Sequence, residues 1–524
     1  MNALTAPQSL GYFVPELVLV ATAVAVFLVD LFIADRDRRE GPAALLSLAG
    51  LATALGFAAA QWTWPTQALF SGMVVVDPFS VFFKVLVLAA TIAVIVFLYR
   101  SNETVRDAAG ETYGLLLVLT LSAILVASSS NLLMIYLAFE GVSLVSYILA
   151  GLSKHNKKAS EAALKYVVYG GVASGVMLFG MSYLFGLTGS LDLVIIRERL
   201  QTLTTAMAGG HVLDLTLVLG VVFMLAGIGY KVAAAPFHMW CPDVYEGSPT
   251  PITAYFSVVP KAAGVAIVIR FFYVGLSQAA SGGHFDAVTT VPWVALLGVI
   301  AAATMTMGNF GALWQTNLKR LLAYSSISHA GYMLMGIVVL GANGLSAVLF
   351  YMAVYTVMNL GAFFCVIAVR NATGEEDLAG VRGLGYREPI LAASLTVFML
   401  SLTGLPPLAG FIGKYFLFAS VLEHTGVWYD ILVVVAVINS AVSLFYYAKV
   451  LREMYLSQPV ERTPLRIPLV HLLTIVVFAV FILVMGFVSF GISSLKSTTD
   501  RSLIFAGQPA PDAPVAQILD LDAR

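Results

Sequence analysis

Residues Ala226–Trp240 read AGIGYKVAAAPFHMW, and residues Leu402–Phe416 read LTGLPPLAGFIGKYF. Each stretch sets a lysine inside a long apolar run and proline close by. Pro236 comes five residues after Lys231, and Pro406 and Pro407 come eight and seven residues before Lys414. Proline removes a helix hydrogen bond and clashes with the preceding turn, so both runs predict a helix broken in its interior. Backbone groups freed at membrane depth are tolerated only where protein or water satisfies them. An ionisable side chain at such a place is costly and points to an ion or proton pathway.

The runs around these stretches set the fold class. The chain has 524 residues, 60% hydrophobic and 11% charged, against roughly 25% charged in soluble domains. Runs long enough to cross ~30 Å of hydrocarbon fall at about 10–34, 43–62, 77–99, 112–129, 131–152, 160–188, 212–238, 251–277, 291–312, 319–340, 345–370, 388–422, 428–450 and 468–491. The prediction is an all-α integral membrane protein with about 14 transmembrane helices, the seventh and twelfth of them broken. The start, MNALTAPQSLGYFVPE, lacks the basic stretch of a signal peptide, so the first run reads as a retained helix. A net charge of -1 argues against a nucleic-acid partner. Cys241 and Cys365 form no metal-ligand spacing, and no phosphate-binding or dinucleotide fingerprint is present.

Loop charges give the orientation. Seventeen basic residues, among them Arg36, Arg38, Arg39, Lys157, Lys158, Lys319, Arg320, Arg382, Arg387, Lys449 and Arg452, fall on one side, and five fall on the other. The positive side faces the cytoplasm, which predicts both termini in the periplasm. The two broken runs share AGxxxK, as Ala226-Gly227…Lys231 and Ala409-Gly410…Lys414, and lie five helices apart. That predicts two five-helix repeats, helices 4–8 and 9–13, the second inverted because the number is odd. The expected organisation is an N-terminal three-helix segment (1–111), a first repeat (112–278), a second repeat (291–456), a last helix (467–492) and a periplasmic tail (493–524).

Six basic residues remain inside helices: Lys84, Lys165, Lys231, Lys261, Arg270 and Lys414. Lys231 and Lys261 lie in consecutive helices, far from the expected helix ends, and Lys261 is followed by AAGVA, small residues that allow close helix packing. Glu140 is central in YLAFEGVSLVSY, with Ser143 and Tyr147 on its face. These are the leading candidates, together with Lys414. Lys165, near the cytoplasmic end of its helix, reads equally as relay or snorkelling side chain. His329 shares a face with Ser325 and Tyr332 and extends a relay or bonds a serine. His238, in PFHMW, could line the break. Lys84 and Arg270 read as snorkelling anchors near helix ends. Gly171 and Gly175 form a small-xxx-small pair, the usual mark of plain helix packing. Lysine and glutamate suit proton transfer because removal from water favours their neutral forms, while an opposite charge nearby restores the ionised ones. Forming or parting such a pair changes which member holds the proton. Moving one proton against ~150 mV costs ~3.5 kcal/mol, a scale one buried pair can supply.

GYKVAAAPFHMWCPDVYEGSPTPITAYFSVVPKAAG (Gly229–Gly264) resembles the core of the antiporter-like membrane subunits of respiratory complex I. NLKRLLAYSSISHAGYML, EAALKYVVYGG and LTGLPPLAGFIGKYF are similar to the same family, and the resemblance runs over about residues 10–490. Lys261 in VVPKAAG and Lys414 are most similar to its N-type branch. The resemblance implies a proton-translocating subunit of NADH:quinone oxidoreductase, a translocase of the bacterial inner membrane. By position, Glu140 and Lys231 match the family's glutamate–lysine pair, Lys165 and Lys261 its connecting lysines, and Lys414 its twelfth-helix lysine. The family implies no cofactor in this chain, with NADH, FMN, iron–sulfur clusters and quinone in partner subunits. It also implies partners among the neighbouring antiporter-like and small membrane subunits. A subunit of a multi-subunit sodium/proton antiporter or a membrane-bound hydrogenase stays open as an alternative, and a stand-alone solute transporter as a more distant one.

Overall fold

Helices carry this fold because a backbone in hydrocarbon must satisfy its own hydrogen bonds. The structure, a computed structural model, describes residues 4–487 apart from 34, 36–38, 100, 102, 104–107, 154, 207–214, 281–283, 289–290 and 460–462. The tail expected over 493–524, the end of the last predicted helix, and the loop residues Arg36, Arg38, Arg100, Arg106, Lys154 and Arg462 lie outside the described residues.

The N-terminal segment holds α1 (Ala6–Tyr12), α2 (Val14–Phe32), α3 (Glu40–Ala60), the hairpin β1 (Gln67–Leu69) and β2 (Val74–Val76), and α4 (Pro78–Leu98). Next come α5 (Ala109–Ser128), α6 (Leu132–Ala150), α7 (Lys157–Thr188), the short α8 (Leu193–Ala206), α9 (Leu215–Val232), α10 (Trp240–Gly247) and α11 (Thr250–Ile269). A second hairpin, β3 (Ser277–Ala279) and β4 (Phe285–Ala287), leads to α12 (Trp293–Leu313), α13 (Leu318–Ile337) and α14 (Ala342–Thr373). The chain continues through α15 (Leu384–Arg387), α16 (Pro389–Thr403), α17 (Ala409–Leu422), α18 (Val427–Tyr455) and α19 (Leu469–Phe487).

Among the described residues, 12 helices are long and apolar enough to cross a membrane. The less apolar α13, with its lysine, serines and histidine, and the pair α16–α17, one run split in two, complete the predicted set. Every residue of α11 is buried, so this helix forms the centre against which the others pack.

Both breaks are present, though not where the prolines alone would put them. The helix containing Lys231 stops at Val232, before Pro236, and Ala233 takes a positive φ of 59°. Proline disfavours helix in the residue before it, so the chain leaves the helix early. The connection to α11 is therefore longer than a simple loop and carries α10. In the twelfth run the gap lies between Thr403 and Ala409, with Gly404 at φ +88° closing the first half-helix. The shared AGxxxK is not structurally equivalent. It precedes the break in α9 and follows it in α17.

A different pair of features does correspond. Asn131 and Asn317 cap α6 and α13 through their side chains. Each sits in a backbone bridge to the loop after the next long helix, Asn131 to Asp192 and Asn317 to Asp377. Both of those long helices, α7 and α14, have 32 residues and end on a glycine in the left-handed region. The Asn131 bridge adjoins the first hairpin, where the Ser130 N–H donates to the Met73 carbonyl at 3.2 Å. The Asn317 bridge lies among basic loops, where Glu376 pairs with Lys319 at 3.0 Å and with Arg370 at 2.6 Å.

Candidate functional site

Lys231 occupies the last turn of α9, with 1% of its surface exposed. It is thus not far from its helix end, as the uninterrupted run implied; the break itself is buried and keeps it deep. The unpaired carbonyls of a helix C-terminus favour a cation there. Its Nζ donates to Ser143 Oγ at 3.0 Å and lies 5.3 Å from the Phe139 ring, both on α6. Ser143 is one turn from Glu140 on α6. The break finds its own partners: the Ala235 N–H donates to Thr304 Oγ1 at 2.9 Å, and Trp240 Nε1 to the Tyr230 carbonyl at 3.0 Å.

Gly264 lets α11 approach this break, because a Cβ there would meet Val232 Cγ1 at 2.6 Å. One turn earlier on α11, Lys261 Nζ donates to Ser326 Oγ at 2.7 Å and lies 6.0 Å from the Tyr245 ring. Ser326, His329 and Tyr332 follow at intervals of three along α13, about 4.5 Å of rise each. His329 is 1% exposed, and approaches Tyr447 Oη through Nε2 at 3.4 Å and Tyr351 Oη through Nδ1 at 2.5 Å. Lys414 Nζ lies 4.6 Å from the Tyr332 ring and donates to the carbonyls of Leu402 (3.2 Å) and Thr403 (2.8 Å) and to Ser440 Oγ (2.9 Å).

Lys231, Lys261, His329 and Lys414 thus form a row of buried polar side chains on helices that pack in the order α9, α11, α13 and α17. Glu140 sits at its edge. The sequence reading took it as buried, but it is half-buried, between the exposed Leu137 and Leu144 on the outward face of α6. Its Oε1 has no hydrogen-bond partner among the described residues. The ring nitrogen Nδ1 of His238 is likewise unpartnered, in the turn after the break.

Lys165 stands apart. It pairs with Asp243 at 2.6 Å and Glu161 at 2.7 Å, with 37% of its side chain exposed. Arg320 joins Asp243 at 2.5 Å and Glu246 at 3.1 Å, and Lys158 joins Glu246 at 2.8 Å. Burial alone would raise the Asp243 carboxyl, but the hydrogen bonds from Lys165 and Arg320 hold it below the ordinary carboxylate range. Glu246 is lowered in the same way by Lys158 and Arg320 against its own burial.

Lys84 and Arg270 are not snorkelling anchors. Lys84 pairs with Glu16 at 2.7 Å and Arg270 with Asp77 at 2.6 Å, all four side chains with 0% exposure. The first hairpin and α1 pack over this end of α4, so burial comes from tertiary cover. A Cβ on Gly171 or Gly175 would meet nothing, so that pair packs no helix of this chain among the described residues. No group of three or more His, Cys, Asp or Glu among the described residues could hold a metal ion.

Reading residues one at a time missed Ser326, Tyr351, Tyr447, Ser440 and Thr304 as partners of the row. Hydroxyls are common in membrane helices, and nothing local marks those that face a lysine.

The family described as NADH:quinone oxidoreductase/Mrp antiporter, transmembrane, matches residues 129–442. The chain is 46% identical over 488 residues to NADH-quinone oxidoreductase subunit N of Anaeromyxobacter sp. (strain Fw109-5), covering 91% of this chain and 94% of that one. It is 50% identical over 470 residues to subunit N 2 of Sorangium cellulosum (strain So ce56), covering 87% and 91%. Among solved structures, a chain of respiratory complex I from Thermus thermophilus with bound aureothin superposes with a TM-score of 0.74 at 32% identity. That match covers 92% of this chain and 99% of the other.

Proposed function

The chain belongs to the NADH:quinone oxidoreductase/Mrp antiporter family, and from that premise we propose that it is the N-type, proton-translocating membrane subunit of a bacterial NADH:quinone oxidoreductase. It is a multi-pass inner-membrane protein that works within a hetero-oligomer of membrane subunits. The observation that carries the reading is the buried row Lys231, Lys261–Ser326, His329 and Lys414. Neutral lysine accepts a proton and ammonium donates one, while serine and histidine can both accept and donate, so each member can pass a proton on. Glu140 stands at one end of the row, one turn from the Ser143 that accepts from Lys231. On an otherwise apolar outward face, its half-burial suits a chain whose α6 is covered by a neighbouring subunit. Lys165 lies in the charged belt with Asp243 and collects protons at the basic side. His238 lines the break below Lys231.

Redox chemistry belongs to partner subunits. NADH, FMN, iron–sulfur clusters and quinone are held there, and this chain couples their free energy to proton passage. Both termini face the periplasm, because the belt joining α7, α10, α13 and α14 gathers basic residues at one end. The two five-helix units are inverted relative to each other, as the Asn131 and Asn317 bridges, one by the first hairpin and one in the basic belt, support.

The deciding experiment is Lys231→Ala in the assembled complex, with proton uptake by inside-out vesicles measured per NADH oxidised. Assembly should persist and pumping should fall. Wild-type pumping in that variant would reject the role.

A further inference from the structure

The three lysines of the row make the same contact. Lys231 Nζ on α9 donates to Ser143 Oγ on α6 at 3.0 Å, Lys261 Nζ on α11 to Ser326 Oγ on α13 at 2.7 Å, and Lys414 Nζ on α17 to Ser440 Oγ on α18 at 2.9 Å. In each pair the serine's own hydrogen is already placed on a backbone carbonyl. Ser143 donates to the Phe139 carbonyl at 2.9 Å, Ser326 to Ala323 at 2.7 Å, and Ser440 to Thr403 at 3.0 Å. A hydroxyl has one hydrogen and two lone pairs. With the hydrogen on a carbonyl, all three serines meet their lysines as acceptors only.

The other buried lysines among the described residues are held differently. Lys84 pairs with Glu16 at 2.7 Å and Lys319 with Glu376 at 3.0 Å. A carboxylate favours an ammonium by its charge. A hydroxyl has no net charge and favours the ammonium by a hydrogen bond alone, while its own bond to a carbonyl polarises it into a better acceptor. The titratable groups beside the three lysines of the row are not alike. Glu140 and Tyr147 flank Ser143 on α6. Tyr245 stands by Lys261 with Cys241 one turn before it on α10, and Tyr332 stands by Lys414 with His329 one turn before it on α13. The acceptor serine is what the three sites share.

We propose that Ser143, Ser326 and Ser440 are positioning residues that hold Lys231, Lys261 and Lys414 as ammonium ions between proton steps. Each serine fixes where its ammonium points, and favours the protonated lysine without supplying a countercharge. The lysine therefore keeps its proton at rest and is not locked to it as it would be by a carboxylate. The serine hands no proton on while its hydrogen stays on the carbonyl. To take part in a transfer itself it must first turn that hydrogen away.

The inference rests on the reading that this chain moves protons, so Lys231→Ala is tested in parallel. Ser143→Ala, Ser326→Ala and Ser440→Ala are read in inside-out vesicles carrying the assembled complex, as acidification per NADH oxidised across a pH series. The ratio removes the pH dependence of NADH oxidation itself. Without its acceptor the ammonium loses its proton at lower pH, so pumping should fall off on the alkaline side about one pH unit earlier. Ser143→Thr, Ser326→Thr and Ser440→Thr keep the hydroxyl and should keep the wild-type profile. Ser128 is equally buried and donates to the Ile124 carbonyl at 2.9 Å, with no lysine bonded to it among the described residues. Ser128→Ala should leave the profile in place. An alanine variant whose profile does not move, with Lys231→Ala impaired, overturns the role of that serine. A loss equal at every pH, a loss of assembly shared by the alanine and threonine variants, or the same shift in Ser128→Ala assigns the serines to packing and overturns the proposal. Normal pumping by Lys231→Ala overturns the broader reading and this one with it.

Discussion

Lys414 Nζ reaches back across a helix break and donates to the carbonyl of Thr403 at 2.8 Å, the last residue of the half-helix before the break. Lys231 lies in the last turn of the half-helix that ends at Val232, but its ammonium is turned to Ser143 on α6. The Lys414 ammonium therefore sits at the negative end of a broken helix. Orphan carbonyls and a helix dipole stabilise a cation where hydrocarbon would otherwise repel one.

Lys414→Glu tests this directly. The new carboxylate would face the carbonyls of Leu402 and Thr403, acceptor against acceptor. Pumping at neutral pH should fall nearly as far as in Lys414→Ala, and should partly recover at lower pH, where a protonated carboxyl can donate to a carbonyl. Vesicle acidification across a pH series reads it. A Lys414→Glu variant as active as wild type at neutral pH would refute the carbonyl argument.

His329→Ala should interrupt the row, since the ring lies one turn after Ser326, the partner of Lys261, and one turn before Tyr332, whose ring faces Lys414. The proton-transfer rate should drop at least about tenfold, or about 1.4 kcal/mol on the barrier. His329→Gln should recover little, because an amide does not exchange protons as imidazole does. Proton-to-NADH ratios in the two variants are the measurement.

Arg270→Ala should damage assembly rather than pumping. It strands the buried Asp77 side chain without its partner guanidinium. Losing one partner of a buried pair costs about 3–5 kcal/mol. Yield and thermal stability of the purified complex should fall, and Asp77→Asn/Arg270→Met should restore most of the loss.

The Asp243 belt predicts a pH dependence. The folded carboxyl lies below its ordinary value because Lys165 and Arg320 outweigh the effect of burial. Its contribution to stability is then complete above the unfolded value of about 3.9 and is lost as pH falls through the lower folded value. Hydrogen exchange over residues 240–247 should rise in that acidic window, and Asp243→Asn should raise it already at neutral pH and flatten the profile.

The members of the candidate row were legible residue by residue. Lys231, Lys261 and Lys414 stand out because a cation in an apolar run is rare whatever surrounds it, and His329 by the polar face it shares with Ser325 and Tyr332. Lys84 and Arg270 were misread because distance from a predicted helix end says nothing about cover, and the cover here is a hairpin and α1. Glu140 was placed too deep because depth along a helix does not fix which way the helix faces.

Sequence alone determined that this chain lives in lipid, how many times it crosses, and which side chains are costly to place there. These follow from transfer free energies and helical period, which are properties of neighbours along the chain. Tertiary structure alone decided the point where each helix breaks, the outward rotation of Glu140, and the meeting of Lys261 with Ser326 across 65 residues or Lys231 with Ser143 across 88. Those depend on how helices rotate and cross when they pack, and a hydrogen bond is made or lost over a fraction of an ångström.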